Sequence, residues 1–164
     1  MPFLLNYSNT HSDEKIRYHT SGMILHVDSD ASYFSIVKAR SRVWGYHYLS
    51  SPSNNPNLTL TETPLINGPL HAVCNILRNV VASLAEVEVG GLFVNVQKAT
   101  IFRTTLEELY HPQPTIPIKT DNSATVGIAN KTICQCKPKS TEILFYWIQD
   151  RVKQGQFIMY WRPG

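Results

Sequence analysis

Cysteine, charge and long apolar runs are all scarce in this chain, and each scarcity excludes a class of protein. The 164 residues include only three cysteines, Cys74, Cys134 and Cys136. An odd number does not build a disulfide framework, and it fits a reducing compartment. Cys134 and Cys136 lie two residues apart without a second pair, and the six histidines are scattered. A structural zinc site is therefore not expected.

Long apolar runs are missing as well. No stretch approaches the roughly 20 apolar residues that span a bilayer, and the N-terminus lacks the pattern of a signal peptide. Apolar residues make up 43% and charged residues 16% of the chain, and the formal net charge is +3. This balance and length are typical of a single globular domain with a substantial core. The mildly basic charge is compatible with a nucleic-acid partner without requiring one.

What the chain does have is three acidic residues, each at a place where a strand or helix would bring it to a shared point. Asp30 ends the run GMILHVDSD, Glu88 lies early in a long helical pattern, and Asp121 ends the run TIPIKTD. Carboxylate oxygens are hard ligands that suit Mg²⁺ and Mn²⁺. The pattern predicts a divalent-metal site formed by these three side chains.

Strand and helix patterns alternate along the rest of the chain. We predict strands over residues 23–30, 42–50, 69–78, 115–120 and 156–161, a long helix from Ser83 to about residue 110, a helix starting at Asn122 or Ser123, and a helix over roughly 140–154. The first three strands are close in sequence, so an antiparallel meander is expected. Pro117 cannot donate within a ladder, and we place it as the first paired residue of the fourth strand.

The long helix has a recognisable start. Ser83 and Glu86 have the spacing of a capping box. The predicted inward face comprises Leu84, Glu88, Leu92, Asn95, Val96, Ala99, Phe102, Leu106 and Leu109. Gly90 and Gly91 are costly inside a helix, so we expect the helix to approach the sheet closely there.

Neighbouring acids leave alternatives open. Asp28 and Asp30 are two apart on a strand and share a face, so alternation cannot separate them. Glu86 is explained by capping, whereas Glu88 lies on the buried stripe, where an unpaired carboxylate is costly and metal binding accounts for it better. Asp121 is either a helix cap or a metal ligand, with Asn122 and Ser123 available for capping.

Four segments, in this order and spacing, resemble a known family. The segments are SDASYFSIVKARSRVWGYHYL, VVASLAEVEVGGLF, IKTDNSATVGIANKT and STEILFYWIQDRVKQGQFIMYWRPG. They are similar to the ribonuclease H domain of copia-type retrotransposon polyproteins, whose corresponding pieces are S-D-A, S-x-x-E-A-E-Y, D-N-x-x-A and an aromatic-rich helix. The resemblance covers about residues 20–164. It implies an α/β, ribonuclease H-like fold: a five-stranded mixed sheet of three antiparallel and then two parallel strands, flanked by helices.

The resemblance also implies an activity. Ribonucleases of this family cleave the RNA strand of RNA–DNA hybrids with two Mg²⁺ ions, for which Mn²⁺ can substitute. Asp30, Glu88 and Asp121 would be the catalytic residues and metal ligands, with Asp28 as the alternative ligand. Expected partners are an RNA–DNA hybrid and the reverse transcriptase portion of the same polyprotein, with no membrane and no small-molecule cofactor. The implied location is intracellular, in a cytoplasmic retroelement particle or in the nucleus.

The resemblance further implies domain limits. Residues 1–20 correspond to the tail of the preceding reverse transcriptase or connection segment, and residues 21–164 to a ribonuclease H-like domain without its last helix. In the resembled domains that helix carries a fourth carboxylate. Its absence, which bears on activity more than on fold, is expected either in a fragment of a longer polyprotein or in a shortened reading frame. Glu142 is not assigned to the missing role.

Substrate contacts are expected around the carboxylates. Candidates are Asn122, Ser123, Lys38, Arg40, Lys137 and Lys139. The basic ones would flank a groove and contact phosphates without reading sequence, or else be solvated surface charge. The competing functions are a decayed remnant that keeps the fold, and another polynucleotidyl transferase of the same fold, such as an integrase or resolvase. A glutamate on the first long helix, between the two aspartate strands, favours a ribonuclease.

Overall fold

The computed structural model describes residues 2–36, 40–51, 64–77, 83–130 and 139–162. Their helices and strands follow in the order α1 (Pro2–Thr10), β1 (Ile24–Ile36), β2 (Arg40–Ser50), β3 (Pro69–Ile76), α2 (Leu84–Glu108), β4 (Ile116–Thr120), α3 (Ser123–Ala129), α4 (Lys139–Lys153) and β5 (Phe157–Trp161). All five predicted strands and the three predicted helices are confirmed. Within these ranges no helix has the length and apolar character that crossing a membrane requires.

The five strands form one sheet in the order β3-β2-β1-β4-β5. β1 pairs antiparallel with β2, and β2 with β3, whereas β4 runs parallel to β1 and to β5. This confirms the predicted mixed sheet of three antiparallel and two parallel strands. β1 is longer than predicted because Ser32 and Ile36 still pair with Arg42 and Arg40 across a bulge. That pairing is a tertiary contact with β2, and the predicted strand end at Asp30 did not include it.

The core lies between the sheet and helices α2 and α4. Leu25, Val27, Leu92, Val96 and Ile118 are almost completely buried in it. Leu144, Trp147, Ile148 and Val152 of α4 pack against or within the same cluster, as predicted.

Two residues of the predicted inward face of α2 are exceptions. Leu84 is 51% exposed and Leu109 is 60% exposed, so the prediction was wrong for both. They are the first residue and the C-cap of the helix, and the core ends before it reaches either of them.

Pro117 lies inside the sheet. Its strand is interior, and Ile116, not Pro117, is the first paired residue, which corrects the prediction. Ile116 donates its N–H to the carbonyl of Gln156 at 2.9 Å, so strand alternation turns the Pro117 nitrogen towards β1, where pairing begins only at Ile118. Before that point the β1 backbone bonds to a side chain instead: the Leu25 N–H donates to the side-chain oxygen of Gln113 at 3.0 Å.

The segment before β1 is hydrogen-bonded to the start of β3, an edge strand of the sheet. The Tyr18 hydroxyl donates to the Pro69 carbonyl at 3.2 Å, and the His19 N–H donates to the Asn67 side chain at 2.8 Å. The boundary between a preceding segment and the domain at residue 20 stays a prediction.

Candidate metal centre

The three predicted carboxylates come together near the C-terminal end of β4, where β4 lies beside β1. One carboxylate oxygen of each of Asp30, Glu88 and Asp121 lies within 4.8 Å of an oxygen of the other two. The register of β1 with β4 explains half of this arrangement. Asp28 is level with Lys119, so two residues further along each strand Asp30 is level with Asp121.

Glu88 reaches the cluster because α2 lies close to the sheet one turn later. A Cβ added at Gly91 would lie 3.2 Å from the Ala31 Cβ and 3.6 Å from the Asp30 carbonyl oxygen. A side chain there would push the helix outward. Glu88 is three residues earlier and on the same face, so the glycine sets how far its carboxylate extends over Asp30. This confirms the predicted close approach.

Burial and charge repulsion act together on Glu88. The residue is 7% exposed, whereas Asp30 and Asp121 are exposed. Burial first, and then the negative charges of Asp121 and Asp30, raise the pKa of Glu88 from 4.5 to about 8. Among the described residues none of the three carboxylates forms an ion pair. The centre therefore carries negative charge that no described cation neutralises.

The donor set fits a divalent cation. All three groups offer oxygen, which Mg²⁺ and Mn²⁺ prefer. Mg²⁺ takes its ligands at about 2.0–2.1 Å, so oxygens that share an ion must come within about 4 Å of each other. The oxygens lie within 4.8 Å of one another, so small side-chain rotations would bring them to that separation. Asp30 has one orientation already fixed, since its Oδ1 accepts from the Ala31 N–H at 2.7 Å.

The structure separates the alternatives that the sequence left open. Asp28 is outside the carboxylate cluster and instead lies 3.8 Å from the Lys119 ammonium. Burial raises the pKa of Asp28, although Lys119 and Arg162 act in the opposite direction. Glu86 is also outside the cluster, and its backbone N–H donates to the Ser83 hydroxyl at 3.3 Å.

Asp121 is not the cap of α3. Asn122 has that role, since its side-chain oxygen accepts from the Thr125 N–H at 3.1 Å. The Trp161 indole N–H donates to the Asp121 carbonyl at 2.8 Å and so fixes the turn that carries the carboxylate. Sequence reasoning missed Trp161, because nothing in its local sequence indicates a contact with Asp121.

The predicted substrate contacts are only partly located. Arg40 is exposed at the start of β2, and Ser123 is exposed at the start of α3. Asn122 is half-buried and already engaged as a cap. Lys38 and Lys137 lie outside the described residues. Lys139 is the first residue of α4, and its side chain, like that of Glu142, is also outside them.

Beneath the carboxylates a buried polar network joins α2 to the sheet. The Asn95 side chain donates to the Ser29 hydroxyl and to the Trp44 carbonyl, both at 2.9 Å. The Asn95 carbonyl lies 3.3 Å from the His47 ring nitrogen. The network links β1, which carries Asp30, and α2, which carries Glu88, to β2.

A scan against protein-family models and a search of the curated proteins find no match to this chain. Solved structures do match. LC11-RNase H1 from a compost metagenome, in complex with an RNA/DNA hybrid, has a TM-score of 0.56 and 8% identity over 85% of each chain. The N-terminal RNase H domain of rv2228c from Mycobacterium tuberculosis has a TM-score of 0.56 and 13% identity, covering 86% of this chain and 83% of that one.

A viral protein is similar too. The foamy viral protease-reverse transcriptase in complex with dsDNA has a TM-score of 0.50 and 14% identity, covering 87% of this chain and 82% of that one. At these identities the similarity shows the fold alone. The chain therefore has a ribonuclease H-like fold, as the sequence predicted.

Proposed function

We propose that this chain is a metal-dependent ribonuclease that hydrolyses the RNA strand of RNA–DNA hybrids. The observation that carries the proposal is the cluster of Asp30, Glu88 and Asp121, whose oxygens lie within 4.8 Å of one another on a ribonuclease H-like fold. Support also comes from LC11-RNase H1, a protein of similar fold that is bound to an RNA/DNA hybrid.

Each carboxylate has a distinct part in the proposed reaction. Asp30 and Asp121 are exposed to solvent, so a phosphate can approach their oxygens. Glu88 is buried and places its carboxylate oxygen in the same cluster from the side of α2. Two Mg²⁺ ions, when bound, would activate the attacking water and neutralise charge on the scissile phosphate and leaving oxygen. Because burial and the neighbouring carboxylates raise the pKa of Glu88 to about 8, its carboxyl favours the protonated form at neutral pH, and a bound cation would favour release of that proton.

Substrate binding in this proposal relies on shape and charge. A hybrid duplex offers phosphates and 2′-hydroxyls in a shallow minor groove, which proteins recognise largely without reading sequence. Arg40 and Arg42 are exposed on the β1–β2 hairpin, which continues past Asp30. Their guanidinium groups are suited to phosphate contacts.

The wider context is part of the same proposal. The motif resemblance favours a retroelement polyprotein as the source, with a reverse transcriptase portion as the partner and an intracellular location. The fold similarity to the foamy viral protease-reverse transcriptase is compatible with that context.

The direct test is cleavage of an end-labelled RNA–DNA hybrid in millimolar Mg²⁺ or Mn²⁺, beside double-stranded RNA and double-stranded DNA of the same sequence. We expect cleavage of the RNA strand of the hybrid alone. Asp121→Asn should lower the rate at least a hundredfold, because one of the three negatively charged metal ligands is lost. Asp150→Asn, at an exposed aspartate of α4, is the matched control and should cleave like wild type.

Three outcomes would reject the proposal. Strand transfer or cleavage on DNA with an intact hybrid would favour a polynucleotidyl transferase of the integrase or resolvase class. Divalent-metal binding without cleavage of any substrate would favour a decayed element. Equal rates for wild type and Asp121→Asn would place the reaction elsewhere.

A further inference from the structure

Strand β2 displays basic and aromatic side chains along one face. Along its first half, exposed and buried residues alternate strictly: Arg40, Arg42 and Trp44 are exposed, while Ser41 and Val43 between them are buried. We call Arg40, Arg42 and Trp44 the β2 stripe. It lies on the face of the sheet opposite α2, because Val43 packs towards Gly91 of that helix.

The exposed tryptophan is held in place by a row of rings. Trp44 lies parallel to Tyr46, with ring centres 6.1 Å apart and planes 15° apart. Tyr46 contacts Tyr48, which stacks on His26 with ring centres 5.5 Å apart. The row is buried at one end, where Tyr48 is 2% exposed, and open at the other, where Trp44 is 41% exposed.

This row makes Trp44 a pre-organised surface. The Tyr46 hydroxyl donates to the Asn67 carbonyl at 2.8 Å, which holds the middle ring in place. A ring that is already oriented loses little conformational entropy when a ligand stacks on it. The outer part of the indole is thus available for a flat partner.

The two arginines extend the stripe with unneutralised positive charge. Within the described part of the chain neither Arg40 nor Arg42 forms a salt bridge. Residues two apart on a strand are roughly 6.5–7 Å apart, so the two guanidiniums can contact successive groups of an extended ligand. An apolar protein partner would bury these charges at a cost, whereas a phosphate chain would pair with them.

The stripe begins beside the carboxylate cluster. Trp44 lies directly opposite Asp30 in the β1–β2 ladder, and Arg42 and Arg40 follow along the hairpin away from the cluster. A strand lying on the stripe would therefore have one end next to the proposed catalytic centre.

We propose that the β2 stripe binds single-stranded nucleic acid, with a base stacked on Trp44 and phosphates on Arg42 and Arg40. Aromatic faces with flanking positive charge are the general means of holding unpaired strands, because stacking needs a base that is free of its own duplex. The inference rests on the proposed function only for the source of the strand, which would be the unpaired continuation of a hybrid. Binding itself needs neither the carboxylates nor metal.

The test is fluorescence anisotropy with labelled 12-nucleotide oligothymidine and oligouridine in EDTA, beside a 12-base-pair DNA duplex. We expect both single strands to bind more tightly than the duplex. Trp44→Ala should weaken single-strand binding about fivefold or more, the smallest effect expected for one base–aromatic stack, and Trp44→Phe should retain most of the affinity. Arg42→Ala should reduce the dependence of log affinity on log salt by about 0.7 for each phosphate that the variant no longer neutralises.

Matched controls and a second readout keep the test specific. Tyr110→Ala and Arg17→Ala remove an exposed aromatic and an exposed arginine elsewhere, and neither should change the affinity. Cys74 is exposed and lies opposite Trp44 on β3, so a bound strand should slow its alkylation in peptide-mapped mass spectrometry.

The stripe and the proposed function fail separately. The proposed binding would be overturned if Trp44→Ala kept the wild-type affinity for oligothymidine and a native circular dichroism spectrum. It would also be overturned if the wild-type protein bound the duplex and the single strands equally tightly. Self-association of wild type that Trp44→Ala abolishes would overturn it too, since this face would then be a protein interface. Loss of hybrid cleavage in Asp121→Asn with unchanged oligothymidine affinity would show that the two sites act independently.

Discussion

Replacing Glu88 with glutamine tests whether burial and charge repulsion in the carboxylate cluster destabilise the metal-free protein. The change keeps the shape of the side chain and removes its charge. Burial and the charges of Asp121 and Asp30 raise the pKa of Glu88 from 4.5 to about 8, so the folded protein holds this proton more tightly than the unfolded chain. The stability contributed by the protonated form is present below about pH 4.5 and is lost as the pH rises through about 8. Wild type without metal should therefore lose stability over that window, and Glu88→Gln should not.

The size of the effect follows from the shift. Each pKa unit corresponds to about 1.36 kcal/mol, so the full shift sets a ceiling of roughly 5 kcal/mol. The neighbouring aspartates are exposed and water reaches the cluster edge, so we expect about 2 kcal/mol at pH 8.5. For a chain of this length, that corresponds to a rise in Tm of roughly 4–8 °C for Glu88→Gln in EDTA.

The assay is thermal and urea unfolding at pH 5 and pH 8.5, with EDTA or with Mg²⁺. In EDTA the variant should gain on wild type between the two pH values. Added Mg²⁺ should stabilise wild type and have little effect on the variant, because ligand binding stabilises only the form that binds it. Glu86→Gln is the control, since Glu86 lies outside the cluster on the same helix. Identical pH dependence in wild type and Glu88→Gln would refute the reasoning.

Three further substitutions test the supports of the site. Gly45→Ala should cost about 2–4 kcal/mol in urea unfolding, since its Cβ would lie 1.8 Å from the Asn95 side-chain oxygen; a change below about 0.5 kcal/mol would contradict the packing. Gln113→Leu should cost about 1–3 kcal/mol and speed hydrogen exchange at the Leu25 amide, which loses its acceptor; unchanged exchange would show another acceptor. Trp161→Phe should weaken Mg²⁺ binding in calorimetry severalfold by releasing the Asp121 turn, and unchanged affinity would show that the hydrogen bond at 2.8 Å is dispensable there.

Local sequence singled out Asp30, Glu88 and Asp121 as candidate ligands, with Asp28 left as an alternative to Asp30, and it indicated most of the helices and strands. Each acid lies in or beside an element whose pattern is local: Asp30 ends an alternating run, Glu88 lies in the second turn of a capped helix, and Asp121 follows a short strand. The capping serine accounted for Glu86 and left Glu88 without a structural role. The order of the strands predicted the antiparallel meander, and the family resemblance implied the complete mixed sheet that the structure shows.

Local patterns failed where an element ended or a residue depended on a distant partner. Leu84 and Leu109 have the helical spacing of core residues, yet burial depends on where the sheet ends beneath the helix. Pro117 is tolerated in an interior strand because Gln113, which precedes that strand, serves the backbone of β1 instead.

Tertiary structure alone decided which acids form the cluster and what holds them there. Asp28 and Asp30 are equivalent by alternation, and only the register of β1 on β4 pairs Asp28 with Lys119 and leaves Asp30 beside Asp121. The position of the Glu88 carboxylate depends on the close packing of Gly91 on Ala31. The Asp121 turn is held by a hydrogen bond from Trp161, 40 residues away in sequence. Residue type and spacing predict local conformation because it depends on near neighbours, whereas register and packing depend on contacts between distant segments and appear only when the chain has folded.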